Sequence, residues 1–253
     1  MTLKLEMECS AKEKDSNIIL ALDLTSNSRS ILLSKSLEIL EKVHPYICAV
    51  KLNHHLILPL GLFNGAQQIL NLAHDNKLLT IMDCKINDIG NTNRIMAENY
   101  YNAGFDSIIA NPFVGWEEGL QPVFEVAKKL QKGVILLCYM SHKAAWEGYG
   151  QIIQERKTKK LTPQYVEFAK KALSWNADGV VVGATYPEKI KEVYQILSNK
   201  VPIYSPGVGA QGGHVRSAVQ AGARYLIVGR TIVNASDPAA TAKQIREIVK
   251  IRK

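Results

Sequence analysis

Leu78-Leu79-Thr80-Ile81-Met82-Asp83-Cys84-Lys85 is a short apolar run ending in charges, and Thr92 to Ala103 after it carries a helical pattern. Ser107-Ile108-Ile109-Ala110 is a second apolar run, followed by the helical stretch Glu117 to Leu130. Short Val/Ile/Leu-rich runs that alternate with helices mark strands buried on both faces of a parallel sheet. The same unit recurs in both directions. Upstream lie the strands Asn17 to Leu24 and Ile47 to Leu52, with helices Ile31 to Val43 and Asn64 to Ala73. Downstream lie the strands Val134 to Tyr139, Gly179 to Val182, Val201 to Tyr204 and Tyr225 to Val228. Their helices are Pro163 to Trp175, Pro187 to Leu197, Gly213 to Ala221 and Pro238 to Ile251. Proline suits the first turn of a helix, where its missing N–H has no partner to lose.

Eight β-then-α units predict a single α/β domain over residues 1–253, a closed (β/α)8 TIM barrel. A length of 253 residues suits that fold, and 47% hydrophobic residues suffice for its core. The one irregular stretch is Ser141 to Thr162, long enough to be a lid or a disordered loop. No apolar stretch reaches membrane-spanning length without a charge or turn residue, and Met1 to Ser16 has no apolar signal core. Cys9, Cys48, Cys84 and Cys138 lie far apart with no C-x-x-C spacing, which predicts reduced thiols in a cytoplasmic protein. The net charge of +8 suits an anionic partner. The densest basic run, Arg156, Lys157, Lys159 and Lys160, has no interleaved aromatics, so it predicts a solvated loop and no nucleic-acid surface.

In such a barrel the reacting groups sit at the C-terminal strand ends. Asp23 ends the first strand, Lys51 lies near the end of the second, Asp83 and Lys85 end the third, and Arg230 follows the eighth. One such charge is an ordinary rim residue, whereas five on one face point to a site. Residues two apart on a strand share a face, so Asp83 and Lys85 project together and Cys84 points to the helix layer. An inward Asp and Lys form either a structural ion pair or a lysine set beside a carboxylate to donate a proton. Asp88 lies past the strand end, placed for the same pocket or for a neighbouring chain.

Ser205-Pro206-Gly207-Val208-Gly209-Ala210-Gln211-Gly212-Gly213 holds four glycines in its last seven residues, and Gly229-Arg230 follows one unit later. Loops seven and eight of such barrels commonly hold phosphate on backbone N–H groups, here with Gln211 and Arg230 as side-chain donors. Gly207, Gly209 and Gly212 also spell a dinucleotide fingerprint, but that motif requires an acidic residue about 20 positions on. The chain has Gly229-Arg230 there. None of the six histidines forms a metal-ligand motif such as H-E-x-x-H, and no G-x-S-x-G elbow occurs.

Taken together, Asp23, Lys51, the D-x-K-x-x-D set Asp83-Lys85-Asp88 with Ile89 and Thr92, Met140-Ser141-His142, the Ser205 to Gln211 loop and Gly229-Arg230 resemble the orotidine 5′-phosphate decarboxylase family. The resemblance runs from Asp23 to Pro238. D-x-K-x-x-D is shared with sister sugar-phosphate enzymes of the 3-keto-gulonate-phosphate and hexulose-phosphate type, whereas the S-P-G-V-G-x-Q loop and the M-S-H segment look like the orotidylate enzyme. The resemblance implies metal- and cofactor-free decarboxylation of orotidine 5′-phosphate, with Lys85 protonating C6 between Asp83 and Asp88. It implies a homodimer in which Asp88 comes from the other subunit. It implies that Asp23, Lys51, Thr92 and Asp88 serve the ribose and Ser141 the pyrimidine. Pro206, Gly207, Gln211, Gly229 and Arg230 would serve the phosphate end, and Ile89 would join the site. The alternatives are a sister sugar-phosphate lyase and a non-catalytic phosphate- or nucleic-acid-binding protein.

Overall fold

A computed structural model describes residues 2–155, 158–209 and 212–250. In chain order its strands are β1 (Ile18–Ala21), β2 (Ala49–Asn53), β3 (Leu79–Ile86), β4 (Ser107–Ala110), β5 (Gly133–Tyr139), β6 (Ile152–Gln154), β7 (Leu161–Pro163), β8 (Gly179–Val182), β9 (Ile203–Pro206) and β10 (Tyr225–Val228). Eight of them, all but β6 and β7, close into a parallel barrel in the order β1-β10-β9-β8-β5-β4-β3-β2. The strands expected from the apolar runs are therefore all present. β4, β8 and β10 have the expected bounds, while β2, β3 and β5 shift by one or two residues, β1 stops at Ala21, and β9 runs on to Pro206, which carries Ser205 and Pro206 into the sheet.

Alternation divides the side chains into two cores. Ile19, Ala49, Ile81, Ile109, Ile135, Val181, Tyr204 and Ile227 pack inside the barrel. Their neighbours Ile18, Val50, Met82, Ile108, Val134, Val180 and Leu226 pack outward against the helices. The helix Leu3–Glu13 closes the N-terminal end of the barrel through Leu3, Met7 and Ala11. This element was not anticipated, because its charged residues hide three apolar positions spaced four apart, the period of one helix face. A Cβ at Gly133 would lie 2.2 Å from Leu3 Cδ2, so only glycine admits the plug at that point.

Two other expectations need correction. The helix expected at Asn64 to Ala73 is part of a longer run, His54–Asp75, broken at Gly61–Gly65. Pro59 and the positive φ of Gly61 account for the break. The run is long and apolar enough by composition to cross a membrane, yet Leu56, Leu60, Ile69 and Leu70 are buried on the barrel. The irregular stretch after β5 is also more ordered than expected. It forms the short helix Ala145–Gly148 and the antiparallel β6–β7 hairpin, with Ile152 opposite Pro163. Pro163 thus ends a strand, and the next helix begins at Gln164. Tyr149 anchors the excursion on Tyr139 and Phe168. Of the basic run, Arg156 and Lys157 lie outside the described residues.

Asp106, just before β4, ties three elements together. Its carboxylate accepts from Thr80 N at 2.9 Å, Thr80 Oγ1 at 2.8 Å, His74 Nε2 at 2.9 Å and Lys132 Nζ at 2.8 Å. Burial alone pushes this carboxyl up, but His74 and Lys132 outweigh it and hold it at about 2. A carboxyl depressed in the folded state stabilises the fold above its unfolded value near 4, and that contribution fades as the pH falls toward 2. Asp106→Ala is expected to lower the unfolding free energy by about 3–5 kcal/mol at neutral pH, the range for breaking a buried pair. In urea unfolding the gap to wild type should narrow between pH 4 and pH 2. A constant gap through that window would show that the ionised carboxylate is not the stabilising form.

Candidate active site

The C-terminal mouth of the barrel holds a cavity of about 210 Å³. Its centre is Asp83. The carboxylate lies between two ammonium groups, Lys51 Nζ at 2.7 Å from Oδ2 and Lys85 Nζ at 2.6 Å from Oδ1. Parallel pairing of β2 with β3 sets Asn53 opposite Asp83, so Lys51, two residues earlier on the same face, reaches the carboxylate from below. Asp83 is 9% exposed and Lys51 4%. Burial would raise the Asp83 carboxyl, but the charges of Lys51 and Lys85 and their hydrogen bonds hold it at about 2. It is therefore a carboxylate at any physiological pH.

Lys85 does not sit on a regular strand. The β3–β4 register shifts between Met82 and Ile86, and Lys85 has φ +48°. Cys84 packs into the helix-side core as alternation requires, and burial pushes its thiol up to about 12. The left-handed residue, not strand alternation alone, brings the Lys85 side chain back onto Asp83. For a residue with a side chain this conformation costs roughly 1 kcal/mol or more.

The other expected residues fall into two groups. Asp23, Lys51, Asp83, Lys85, Ser141, Pro206, Gly207, Gly229 and Arg230 all line the cavity. Asp23 Oδ1 is buried with no hydrogen-bond partner. Such an oxygen costs about 1–3 kcal/mol unless a ligand satisfies it. A Cβ at Gly229 would come within 3.1 Å of Asp23 Oδ2, so glycine keeps the approach to Asp23 open. Gly207 and Gly209 have φ +93° and +75°, and a Cβ at Gly209 would lie 2.4 Å from Thr231 Oγ1, packing the β9 loop against the β10 loop. The helix after this loop begins only at Val215, and Arg230 itself opens the short helix Arg230–Val233.

The second group stays outside. Asp88, Ile89 and Thr92 are exposed and do not line the cavity. Buried Asn93 holds their turn: its Oδ1 accepts from Asp88 N and its Nδ2 donates to the Asp88 and Gly119 carbonyls. Gln211 lies outside the described residues. Sequence reasoning missed Asn53 at the cavity wall, gave Met140 of the M-S-H segment no role in the site although it lines the wall too, and missed the apolar floor of Ile109, Leu137, Val181 and Ile227. Asn53 was legible as the same-face neighbour of Lys51 two positions on. The floor residues look like any other barrel-core positions. Among the described residues no three His, Cys, Asp or Glu side chains are grouped to hold a metal ion.

Residues 16–245 match the family model described as Orotidine 5′-phosphate decarboxylase / HUMPS family. The chain is an enzyme of that family. The orotidine 5′-phosphate decarboxylase of Methanosarcina acetivorans is 35% identical over 235 residues, 93% of this chain and 95% of the relative. That of Pyrococcus abyssi is 35% identical over 233 residues, 92% of this chain and 99% of the relative. Among solved structures, the orotidine 5′-monophosphate decarboxylase of Methanocaldococcus jannaschii, in complex with the inhibitor BMP, superposes with a TM-score of 0.78 at 30% identity. The match covers 93% of this chain and 99% of that one. Membership of the Orotidine 5′-phosphate decarboxylase / HUMPS family agrees with a barrel whose charges converge at the C-terminal mouth.

The backbone at Lys85 yields a test independent of activity. Glycine ordinarily weakens a strand relative to alanine, but at φ +48° it removes strain. Lys85→Gly should therefore unfold at a higher temperature than Lys85→Ala, by the equivalent of about 1 kcal/mol. A Lys85→Ala protein as stable as Lys85→Gly, or more so, would show that the left-handed backbone carries no strain.

Proposed function

We propose that this chain decarboxylates orotidine 5′-phosphate to uridine 5′-phosphate, the last step of de novo pyrimidine nucleotide synthesis, without metal or cofactor. The observation that carries this reading is the Asp83 carboxylate held between Lys51 and Lys85 above an apolar floor. The relatives named above support it, as do the S-P-G-V-G loop and the M-S-H segment, which distinguish it from a sugar-phosphate lyase reading.

The chemistry follows from the geometry. As the C6–carboxylate bond breaks, the electron pair stays on C6 in the plane of the ring, where the ring carbonyls delocalise it poorly. The Lys85 ammonium stabilises that charge as it grows and then transfers its proton to C6. Carbon dioxide leaves, and solvent restores the lysine proton. A fixed cation in a water-poor site stabilises developing charge more than water does, because no dipoles must reorganise. Asp83, ionised throughout, positions the ammonium. Asp23 and Lys51 take the ribose hydroxyls, which accounts for the unpartnered Asp23 Oδ1. Ser141 reads the pyrimidine. Pro206, Gly207, Gln211, Gly229 and Arg230 hold the phosphate, whose binding energy is spent on positioning the reacting end.

The chain works as one barrel unit in a homodimer, with Asp88, Ile89 and Thr92 entering the other subunit's site. Support comes from their exposure on a turn held rigid by Asn93. Large apolar side chains follow the adjacent strands β2, β3 and β4 at the same end: Leu58, Ile89 and Phe113 are 77%, 68% and 67% exposed. A second copy covering them would bury apolar surface and deliver Asp88 together. We place the enzyme in the cytoplasm, with a small-molecule substrate and neither nucleic acid nor membrane as partner.

Three variants test this assignment. Lys85→Ala should abolish orotidylate turnover while leaving the protein folded. Arg230→Ala should cut kcat/KM strongly for orotidine 5′-phosphate and far less for the phosphate-free nucleoside, because the lost contact is absent there. Lys85→Ala and Asp88→Ala homodimers should each be nearly inactive, yet random exchange between equal amounts should restore roughly a quarter of wild-type activity. Half the dimers are then mixed, each with one intact site. Absence of recovery despite proven exchange would place Asp88 in the site of its own chain, and near-normal turnover by a folded Lys85→Ala protein would remove the proton-donor role.

A further inference from the structure

A second cavity lies at the end of the barrel opposite the charged mouth. Its rim comes from the segments that lead into three strands: Asn17 before β1, Pro202 before β9 and Arg224 before β10. The plug helix Leu3–Glu13 and the closing helix Pro238–Lys250 flank it through Lys4 and Lys250. Its volume is about 590 Å³, against about 210 Å³ at the mouth, and small-molecule sites run from roughly 300 to 1,000 Å³. Buried Val201, Ala223 and Tyr225 form part of its wall. The charge is lopsided. Five cations line the cavity, Lys4, Lys200, Arg224, Arg246 and Lys250, against the two carboxylates Glu8 and Asp15, a net +3. At the mouth, Lys51, Lys85 and Arg230 stand against Asp23 and Asp83, a net +1.

The closing helix settles its own charges. Lys250 pairs with Asp15 and lies 3.4 Å from Glu247, while Arg246 lies 3.1 Å from Glu247 and covers the Tyr46 ring. The other three cations have no carboxylate partner among the described residues. Lys4 donates to Asn176 Oδ1 at 3.2 Å, and Lys200 makes no side-chain hydrogen bond or ion pair there. Burial pushes the Tyr225 hydroxyl up, and the neighbouring Arg224 guanidinium opposes that. Lys200 and Arg224 rise from fixed backbone. Lys200 N donates to Leu197 O at 2.9 Å, Arg224 N donates to Ile203 O at 2.9 Å, and Arg224 O accepts from Asn17 Nδ2 at 2.8 Å. We propose that this cavity is a second anion site that takes an oligophosphate group, free or as the tail of a nucleotide. A single carboxylate would leave most of the unpaired cations unmatched, whereas a chain of phosphates brings a charge to each, and arginine adds a forked donor. Lys200 and Arg224 are exposed, so little desolvation opposes binding. The ligand would tie the plug helix to the starts of β9 and β10. The site does not depend on which substrate the mouth takes.

The probe is tripolyphosphate, with ATP as the nucleotide arm. Arg230→Ala protein is the background, so that an anion at the mouth does not obscure the second site. Saturating tripolyphosphate should slow amide hydrogen exchange in residues 199–203 and 222–226. It should also raise the melting temperature by about 5–10 °C at about 100 times Kd, because it binds the folded chain alone. Lys200→Ala combined with Arg224→Ala should weaken tripolyphosphate binding by at least about tenfold and remove the protection. Lys200→Arg combined with Arg224→Lys keeps both charges and should stay within about threefold, which guards against a general packing defect. Sodium chloride at equal ionic strength should not reproduce the protection. ATP bound at least as tightly as tripolyphosphate supports a nucleotide as the occupant, weaker ATP binding supports a free oligophosphate, and either result supports the site. No protection at 199–203 and 222–226, protection confined to the mouth segments 206–209 and 229–232, or unchanged affinity in the double alanine variant would overturn it. Equal protection by sodium chloride would overturn it too, since only diffuse charge would then be at work.

Discussion

Asp83 shares its carboxylate between buried Lys51 and half-buried Lys85, and the buried charges of Asp83 and Lys51 are tolerable there because they are paired. Removing one partner of such a buried set leaves uncompensated charge, at a cost of about 3–5 kcal/mol. The array therefore constrains what surrounds it. β2 and β3 must be neighbours in a parallel register that sets Lys51 below Asp83, and β3 must bulge so that Lys85 swings back over it. The positive φ at Lys85 is the local cost of that arrangement.

The barrel supplies the rest. The Leu3–Glu13 plug packs into the N-terminal end of the barrel, opposite the mouth that holds the array. Ile109, Leu137, Val181 and Ile227 form an apolar floor beneath the charges. Fixed charges act more strongly over such a floor than in water, which is what charge development on a carbon centre requires. Glycines at 207 and 229 leave backbone open to a ligand at the cavity, and Asp23, with its unpartnered oxygen, lines the same space. A polar rim, a fixed ion array and an apolar base suit a ligand with an anionic end, hydroxyls in the middle and a flat ring.

Much of this was legible in the amino-acid sequence. The eight apolar runs were visible because buried parallel strands are apolar on both faces, and the charged strand ends were visible because they break that rule. What escaped did so for physical reasons. The plug helix carries five charges in eleven residues, and the apolar positions that betray its buried face are Leu3, Met7 and Ala11. The bulge at Lys85 leaves no trace in residue type, since a lysine at positive φ reads like any lysine. Asn53 sits at a strand end as a common helix-capping residue. The β6–β7 hairpin has strands of three residues each, too short for a period to emerge. Asp88, Ile89 and Thr92 stand exposed outside the cavity of their own chain, and residue type gives no sign of that.

The account stands on one claim, that the Asp83–lysine array performs decarboxylation on a nucleotide with no metal. The most direct measurement follows chelator-treated protein given orotidine 5′-phosphate, with ring absorbance and released carbon dioxide recorded together, beside a parallel assay on hexulose phosphate. The account predicts loss of orotidylate absorbance matched one-to-one by carbon dioxide, at a rate unchanged by chelator, and no turnover of the sugar phosphate. Turnover of hexulose phosphate that depends on a divalent cation, with orotidine 5′-phosphate left intact, would contradict it.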